Sequence, residues 1–183
     1  MVTKVTQIVL SLLFVSCASA PVKKEVSSED AKASEGLLFP HGRYQQEVEV
    51  KVHALGHEKD FDFNAIIYKS SEEFSFYGYN DFGISLFKIR QVEGSTVEMD
   101  SSIEEIKRNT DFFLKVFFMV RTILSLRKAD PTIEGNKARL VVNGIESLVE
   151  FLELNKQGIP VRMKASSQKQ KYEVDIKTDT IRH

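Results

Sequence analysis

Residue types that commonly carry chemistry are sparse in this sequence of 183 residues, which contains only four histidines and one cysteine. His53 and His57 flank a turn and could hold a metal ion together with Asp60, but Gly56 interrupts the helix that a paired-histidine site needs. Asp60 and Asp62 share one face of a predicted strand, where two carboxylates could share a proton. A simpler interpretation is that the histidines lie on a solvated turn and that the two aspartates lie on the solvent-facing side of a half-buried strand.

Other catalytic signatures are missing from the sequence. No serine stands in a nucleophile-elbow pattern, and there is no glycine-rich phosphate loop. A single cysteine excludes an internal disulfide and a cysteine-based zinc site. The 25 basic and 26 acidic residues give a net charge of −1, which offers no electrostatic footprint for nucleic acid. We therefore predict a protein that is not an enzyme and that needs no cofactor, no metal and no nucleic-acid partner.

Cys17 is the one residue whose setting predicts a modification. Residues 14–17 read Phe-Val-Ser-Cys, which resembles a bacterial lipobox, and they follow Lys4 and the apolar run 8–15. That run is too short to span a bilayer, for which about 20 apolar residues are needed. We predict that residues 1–16 are a signal peptide and that Cys17 is lipidated. The competing cleavage site at residues 18–20 is disfavoured by the proline that follows it.

The segment after the cysteine predicts a tether. Residues 17–36 combine the lipidated cysteine with small, polar and charged side chains that cannot bury enough apolar surface to fold. Acyl chains contribute about 0.8 kcal/mol per buried CH₂, so the anchor would hold a domain formed by residues 37–183 on a membrane. In enterobacterial lipoproteins, an aspartate after the lipidated cysteine retains the protein at the inner membrane. Residue 18 is alanine here, and by resemblance to that sorting rule we predict the outer membrane, facing the periplasm.

Most of the folded part shows the period-two alternation of half-buried strands. Tight turns between these segments favour antiparallel pairing, because parallel strands need crossovers of about a dozen residues. Residues 145–154 also carry helical spacing and leave a helix as the alternative there. The predicted strands, about nine in all, are residues 43–54, 60–68, 73–79, 84–91, 96–99, 137–143, 147–154, 161–165 and 172–178.

Residues 103–126 change to the helical period, and Pro131 ends the segment. Its apolar arc is wider than the stripe of about 100° on an ordinary surface helix, which predicts contacts with protein on more than one side. The predicted fold class is α+β. We expect an open, strongly curved antiparallel β-sheet, a half-barrel, with one long apolar helix packed in or over the concave face.

This order of elements resembles that of the bacterial LolA/LolB-type carriers of acylated lipoproteins and of less characterised outer-membrane lipoproteins near them. The residues that carry the resemblance are Cys17, the glycine and apolar strand within residues 79–89, and Gly158-Ile159-Pro160-Val161 in the closing meander. The resemblance implies a half-barrel with an apolar hollow. It also implies either a buried arginine that holds the lid, as in LolA, or an exposed apolar loop residue that releases cargo into the membrane, as in LolB, although neither maps onto a numbered residue here.

Phenylalanines of the helix and of the first strands are the predicted ligand-binding residues, facing an apolar hollow. A solid aromatic core is the alternative interpretation of the same positions. Lys115 favours a semi-open site, because its ammonium group must reach water or a partner. The predicted residues are Phe112, Phe113, Phe117, Phe118, Phe61, Phe63, Phe74 and Phe76.

The predicted function is that of an outer-membrane lipoprotein that binds an apolar ligand, either a lipid or an acylated lipoprotein, for transport or insertion. Binding would follow from the removal of acyl chains from water, at about 25 cal/mol per Å² of apolar surface. The alternative is a non-catalytic scaffold or interaction lipoprotein with a protein partner in a cell-envelope complex.

Overall fold

The computed structural model describes residues 35–54, 57–167, 169 and 172–182. The predicted signal peptide, Cys17, most of the predicted tether and His183 lie outside these residues, and so do the side chains of His53 and His57. The described strands form one ten-stranded antiparallel sheet in the order β5-β4-β3-β2-β1-β10-β9-β8-β7-β6. They are β1 (Gly42–Ala54), β2 (His57–Lys69), β3 (Glu73–Tyr79), β4 (Ser85–Val92), β5 (Glu98–Asp100), β6 (Ile133–Glu134), β7 (Lys137–Val142), β8 (Ile145–Leu154), β9 (Pro160–Ser167) and β10 (Tyr172–Arg182).

Two meanders meet at the middle of the sheet, where β1 pairs with β10. The sheet is open, and its edges are the three-residue β5 and the two-residue β6. The antiparallel prediction is confirmed, and β8 is a strand, so the helical alternative for residues 145–154 is wrong. Burial alternates along β8 as it does along β7, which is why period two prevails over the helical spacing.

The predicted single long helix over residues 103–126 is not confirmed, because the segment forms two helices. They are α1 (Glu104–Arg108), of five residues, and α2 (Thr110–Leu124), of fifteen. The break lies at Asn109, whose side-chain amide donates to the carbonyl of Glu105 at 2.7 Å, while the hydroxyl of Thr110 donates to that of Lys107, also at 2.7 Å. Such side-chain bonds compete with the helical backbone ladder and explain the break. No helix among the described residues is long and apolar enough to cross a membrane.

The sheet curves around α2. Seven strand spacings of about 4.8 Å separate β4 from β7, yet α2 contacts β7 and also places Phe113 against Phe87 of β4, with 4.9 Å between the ring centroids. A strongly twisted open sheet of ten strands curls, which brings strands of both meanders to the same helix. One buried apolar cluster joins the inward faces of both meanders to α2.

Residues 36–41, which we call the N-terminal strap, run beside the C-terminal end of α2. The amide of Leu38 donates to the carbonyl of Leu126 at 2.8 Å, and the amide of Lys128 donates to Gly36 at 2.9 Å. Lys69 is buried and donates from Nζ to the carbonyls of Phe39 at 2.5 Å and Leu124 at 2.6 Å. Burial lowers the pKa of Lys69 to about 8. The strap and Lys69 therefore cover the C-terminal end of α2, which we call the closed end.

Candidate functional site

One side of α2 packs into two groups of contacting aromatic rings, one around Phe113 and one around Phe117, which together form the aromatic cluster. Phe113 lies 6.4 Å from Phe63 and 6.0 Å from Phe61, measured between ring centroids, and Phe74 lies 5.5 Å from Phe117 with the rings edge to face. These separations and tilts are those that aromatic pairs prefer. The aromatic cluster consists of Phe61, Phe63, Phe74, Phe76, Phe87, Phe112, Phe113, Phe117 and Phe118.

All the predicted ligand-binding phenylalanines belong to this cluster, together with Phe87, which the sequence reasoning did not single out. Phe76 and Phe117 are fully buried, whereas Phe61, Phe112 and Phe118 are half-buried against the core. The structure thus brings the predicted residues together as packed neighbours. Their role in ligand binding stays a prediction.

The other side of α2 faces a cleft of about 310 Å³ instead of a packed core. Its floor is made of two cross-strand pairs, with Val50 of β1 opposite Val174 of β10 and Val52 opposite Tyr172. Among the predicted phenylalanines, Phe112 lines the cleft. The full lining is Val50, Val52, Arg108, Asn109, Asp111, Phe112, Lys115, Val116, Met119, Tyr172 and Val174.

Side-chain size explains why one side of α2 is filled and the other hollow. Along β2 the inward positions carry Phe61 and Phe63, whose rings reach the helix. Their neighbours across the strand pair on β1 are Val50 and Val48, which are much shorter. The helix therefore rests on the aromatic side and leaves a gap above the valines. A run of valines on the two central strands, opposite phenylalanines on the next strand, was the signal in the sequence that could have located this gap.

The cleft is apolar inside and polar at its rim. Val50, Val116, Met119 and Val174 are buried, whereas Arg108, Asp111 and Lys115 are exposed. The hydroxyl of Tyr172 forms a hydrogen bond of 2.8 Å with that of Ser147, so the half-buried ring presents its apolar face to the space. Burial raises the pKa of Tyr172. The arrangement can hold an apolar group inside and a polar group at the opening.

The outer face of the sheet carries the carboxylates that could have formed an acid–base or metal site. Asp60 and Asp62 are exposed and stand opposite Lys51 and Glu49 in the register of β1 and β2. The described residues contain no group of three or more side chains placed to hold a metal ion. These carboxylates occupy the solvent-facing side of a half-buried strand, as the simpler interpretation has it.

The hairpin between β3 and β4 exposes two large apolar side chains. Phe82 is 89% exposed and Ile84 is 59% exposed. The side-chain oxygen of Asn80 accepts hydrogen bonds from the amides of both residues, at 3.1 and 2.9 Å, and Gly83 takes the positive φ that the turn requires. The tip is therefore a fixed apolar projection.

No protein-family model matches this sequence, and no curated protein is significantly similar to it. Solved structures give low-identity likenesses over most of the chain. A LolA superfamily protein from Nitrosomonas europaea has 7% identity and a TM-score of 0.45, covering 86% of this chain and 93% of its own.

Two further structures are similar at the same low level. A DUF1329 family protein from Desulfovibrio piger has 10% identity and a TM-score of 0.31, with 84% of this chain and 93% of that one covered. A domain assigned to outer-membrane lipoprotein sorting in Vibrio parahaemolyticus has 8% identity and a TM-score of 0.37, with 84% and 89% covered. The resemblance that the sequence indicates thus has counterparts among solved structures, while the geometry of the cleft carries the functional argument.

Proposed function

We propose that this protein is a non-catalytic lipoprotein, anchored in the outer membrane through Cys17, that binds an apolar ligand in the cleft beside α2. The ligand would be a lipid or an acyl chain of a lipidated protein, held for transport or insertion. The observation that carries the proposal is the cleft itself, a space of about 310 Å³ with a buried apolar floor, next to an interior that is otherwise filled by aromatic rings.

The β3–β4 hairpin supports a role at a membrane. Phe82 and Ile84 together place two large exposed apolar side chains on the same fixed tip, and adjoining exposed apolar side chains favour contact with a membrane or another apolar surface. The LolB resemblance implies an exposed apolar loop residue in cargo transfer. We assign that role to Phe82, as part of the proposal.

The experiment that tests the proposal fills the cleft. Val52 lines the cleft and is half-buried, so Val52→Trp can occupy the space without burying a charge. The chain from residue 17 onward, carrying Cys17→Ala, is titrated with a fluorescent apolar dye and then with phospholipid or fatty acid as competitor. We expect Val52→Trp to lower dye affinity at least tenfold.

The matched control is Val141→Trp on β7, because Val141 is 68% exposed and is not part of the cleft lining. It should bind dye as the unsubstituted chain does. Equal binding by the Val52→Trp variant, folded by circular dichroism, would refute the proposal.

A second candidate function rests on a different surface. Leu152 and Leu154 on β8 are large apolar side chains exposed to solvent. Such residues favour contact with another protein, as in a scaffold lipoprotein of an envelope complex. A purified chain that contains no lipid by mass spectrometry and binds no dye, but loses a partner when Leu154→Ser is introduced, would favour this candidate.

A further inference from the structure

We infer that the ligand of the cleft is a single-chain amphiphile with a monoanionic head group, of the fatty-acid class, whose carboxylate lies between Arg108 and Lys115. This inference rests on the proposed function, in that it names the class of ligand for the same cleft. Three observations carry it: the size of the space, the separation of its polar and apolar linings, and the charge at its rim.

The size of the cleft limits the ligand to one chain. At about 310 Å³ it lies at the lower end of the range of roughly 300–1,000 Å³ that ligand pockets span. On the opposite side of α2, Phe113 and Phe63 fill the interior with ring contacts, so the space has no room to extend beneath the helix. A ligand with several acyl chains would need that space, whereas one hydrocarbon chain fits between the helix and the valines.

The lining is ordered from apolar to polar, as an amphiphile requires. Val50, Val174 and Val116 form a buried interior without a charged group. Every charged group of the lining is exposed, and all of them come from the end of α1 and the first half of α2. A chain lying on the valines would therefore place its head group at this rim, in contact with water.

The charge of the rim favours an anion. Arg108 and Lys115 contribute two cations and Asp111 one carboxylate, so the rim carries a net charge of +1. Neither cation takes part in an ion pair among the described residues, in contrast to Lys107, which pairs with Glu104 at 2.8 Å. The N-terminal end of the fifteen-residue α2 adds the positive end of its dipole at the same place.

A carboxylate head group matches these donors. A guanidinium group binds a carboxylate through two parallel hydrogen bonds, and an ammonium group adds a point charge. Asp111 would repel the head group and would set a preference for one negative charge over two. A neutral head group would not form these charge-assisted interactions with the two cations of the rim.

The test compares amphiphiles that share one chain and differ in head group. The chain from residue 17 onward with Cys17→Ala is titrated calorimetrically with laurate, dodecanol and dodecyltrimethylammonium. We expect laurate to bind more tightly than dodecanol by about three- to tenfold, and the cationic amphiphile to bind more weakly than either.

Charge variants of the rim sharpen the test. Lys115→Gln and Arg108→Gln should each weaken laurate binding by about three- to tenfold and leave dodecanol binding unchanged, while Asp111→Asn should strengthen laurate binding. Lys128→Gln, at an exposed lysine beyond the other end of α2, is the matched control and should change neither.

The results separate this inference from the proposed function. If dodecanol and laurate bind equally, and the rim variants have no effect while Val52→Trp abolishes both, the anionic head group is refuted and the apolar cleft stands. If neither amphiphile binds the folded chain while the dye still binds in the cleft, the inference is refuted and the proposed function stands. If the dye also fails to bind, both are refuted.

Discussion

The two sides of α2 show how one helix can be part of a core and the wall of a cleft. Toward β2, β3 and β4 the helix meets phenylalanine rings at centroid distances of 4.9–6.4 Å. Toward β1 and β10 it meets valines and leaves a space of about 310 Å³. Both sides lie on one continuous antiparallel sheet, so the difference arises from side-chain volume and not from topology.

Under the proposed function, stability and ligand binding depend on different strands. The aromatic side buries large rings and should dominate the free energy of folding, since each large apolar side chain contributes roughly 1.5–3 kcal/mol on burial. The valine side gives up part of that packing and leaves the space in which we propose that a ligand binds. Substitutions on the two sides should therefore affect different measurements.

The largest effect is expected from Phe76→Ala on the aromatic side. Phe76 is fully buried, with ring centroids 6.0 Å from Phe63 and 5.5 Å from Phe87. Removing the ring should lower the free energy of unfolding by about 3–5 kcal/mol, as measured by urea denaturation. Phe82→Ala, at an exposed phenylalanine, is the control and should change stability by less than about 0.5 kcal/mol. A loss below about 1 kcal/mol for Phe76→Ala would contradict tight packing on this side.

Met119→Ala probes the cleft side with a smaller expected loss. Met119 is buried and lines the cleft. Its truncation enlarges an existing space, so we expect a destabilisation of about 2 kcal/mol, at the low end for such changes, and a preference for longer alkyl chains. Val120→Ala, at a buried neighbour outside the lining, should lower stability without changing chain-length preference. Calorimetric titration with a series of fatty acids distinguishes the two.

Gly78→Ala tests the packing within the aromatic side. A Cβ at Gly78 would lie 2.4 Å from ring atoms of Phe87, so the ring must move. We expect a loss of about 1–3 kcal/mol in chemical denaturation, with dye binding in the cleft unchanged. In a Phe87→Leu background the loss from Gly78→Ala should shrink below about 1 kcal/mol. Equal losses in both backgrounds would show that the ring contact is not the cause.

A pH-dependent effect is expected at the closed end of α2. Lys69 has a folded pKa of about 8 against an ordinary value of 10.5, so between these values the unfolded chain binds more protons. The free energy of unfolding should therefore rise with pH across this window, relative to Lys69→Met, by at most about 1.4 kcal/mol per pH unit. Urea denaturation of both chains from pH 8 to 10.5 measures this difference. A constant difference would mean that the buried ammonium keeps its proton.

Much of the fold could be predicted because period two is a strong signal where one face is buried. The alternation of Tyr44, Val48 and Val50 placed β1 correctly, and tight turns required antiparallel pairing. Gln46 follows the same alternation, and it is buried and donates to the hydroxyl of Thr178 at 3.0 Å, but its polar side chain gave no sign of facing the interior. The register shift between Gln45 and Gln46 leaves Asp179 of β10 without an opposite residue on β1, and such a bulge has no clear sequence signature.

The candidate site could be predicted only in part. Apolar periodicity identifies which side chains face the interior, but it does not tell whether they meet at contact distance. Phe112, Val52 and Met119 all line the cleft, but Val52 and Met119 gave no signal beyond ordinary core spacing. The break at Asn109 was also missed, because two side-chain hydrogen bonds to preceding carbonyls decide it.

The strap fixes the point at which the preceding polypeptide reaches the fold. Gly36 and Leu38 bind the chain at the C-terminal end of α2, while the charged rim begins at Asp111, roughly 20 Å away at 1.5 Å per helical residue. A pulling force on residue 35 would act first on those backbone hydrogen bonds and on the hydrogen bonds of the buried Lys69 amine. Only then would it act on the valines that form the floor of the cleft. The preceding polypeptide thus joins the fold at the C-terminal end of α2, while the rim of the cleft lies toward the N-terminal end and stays open to solvent.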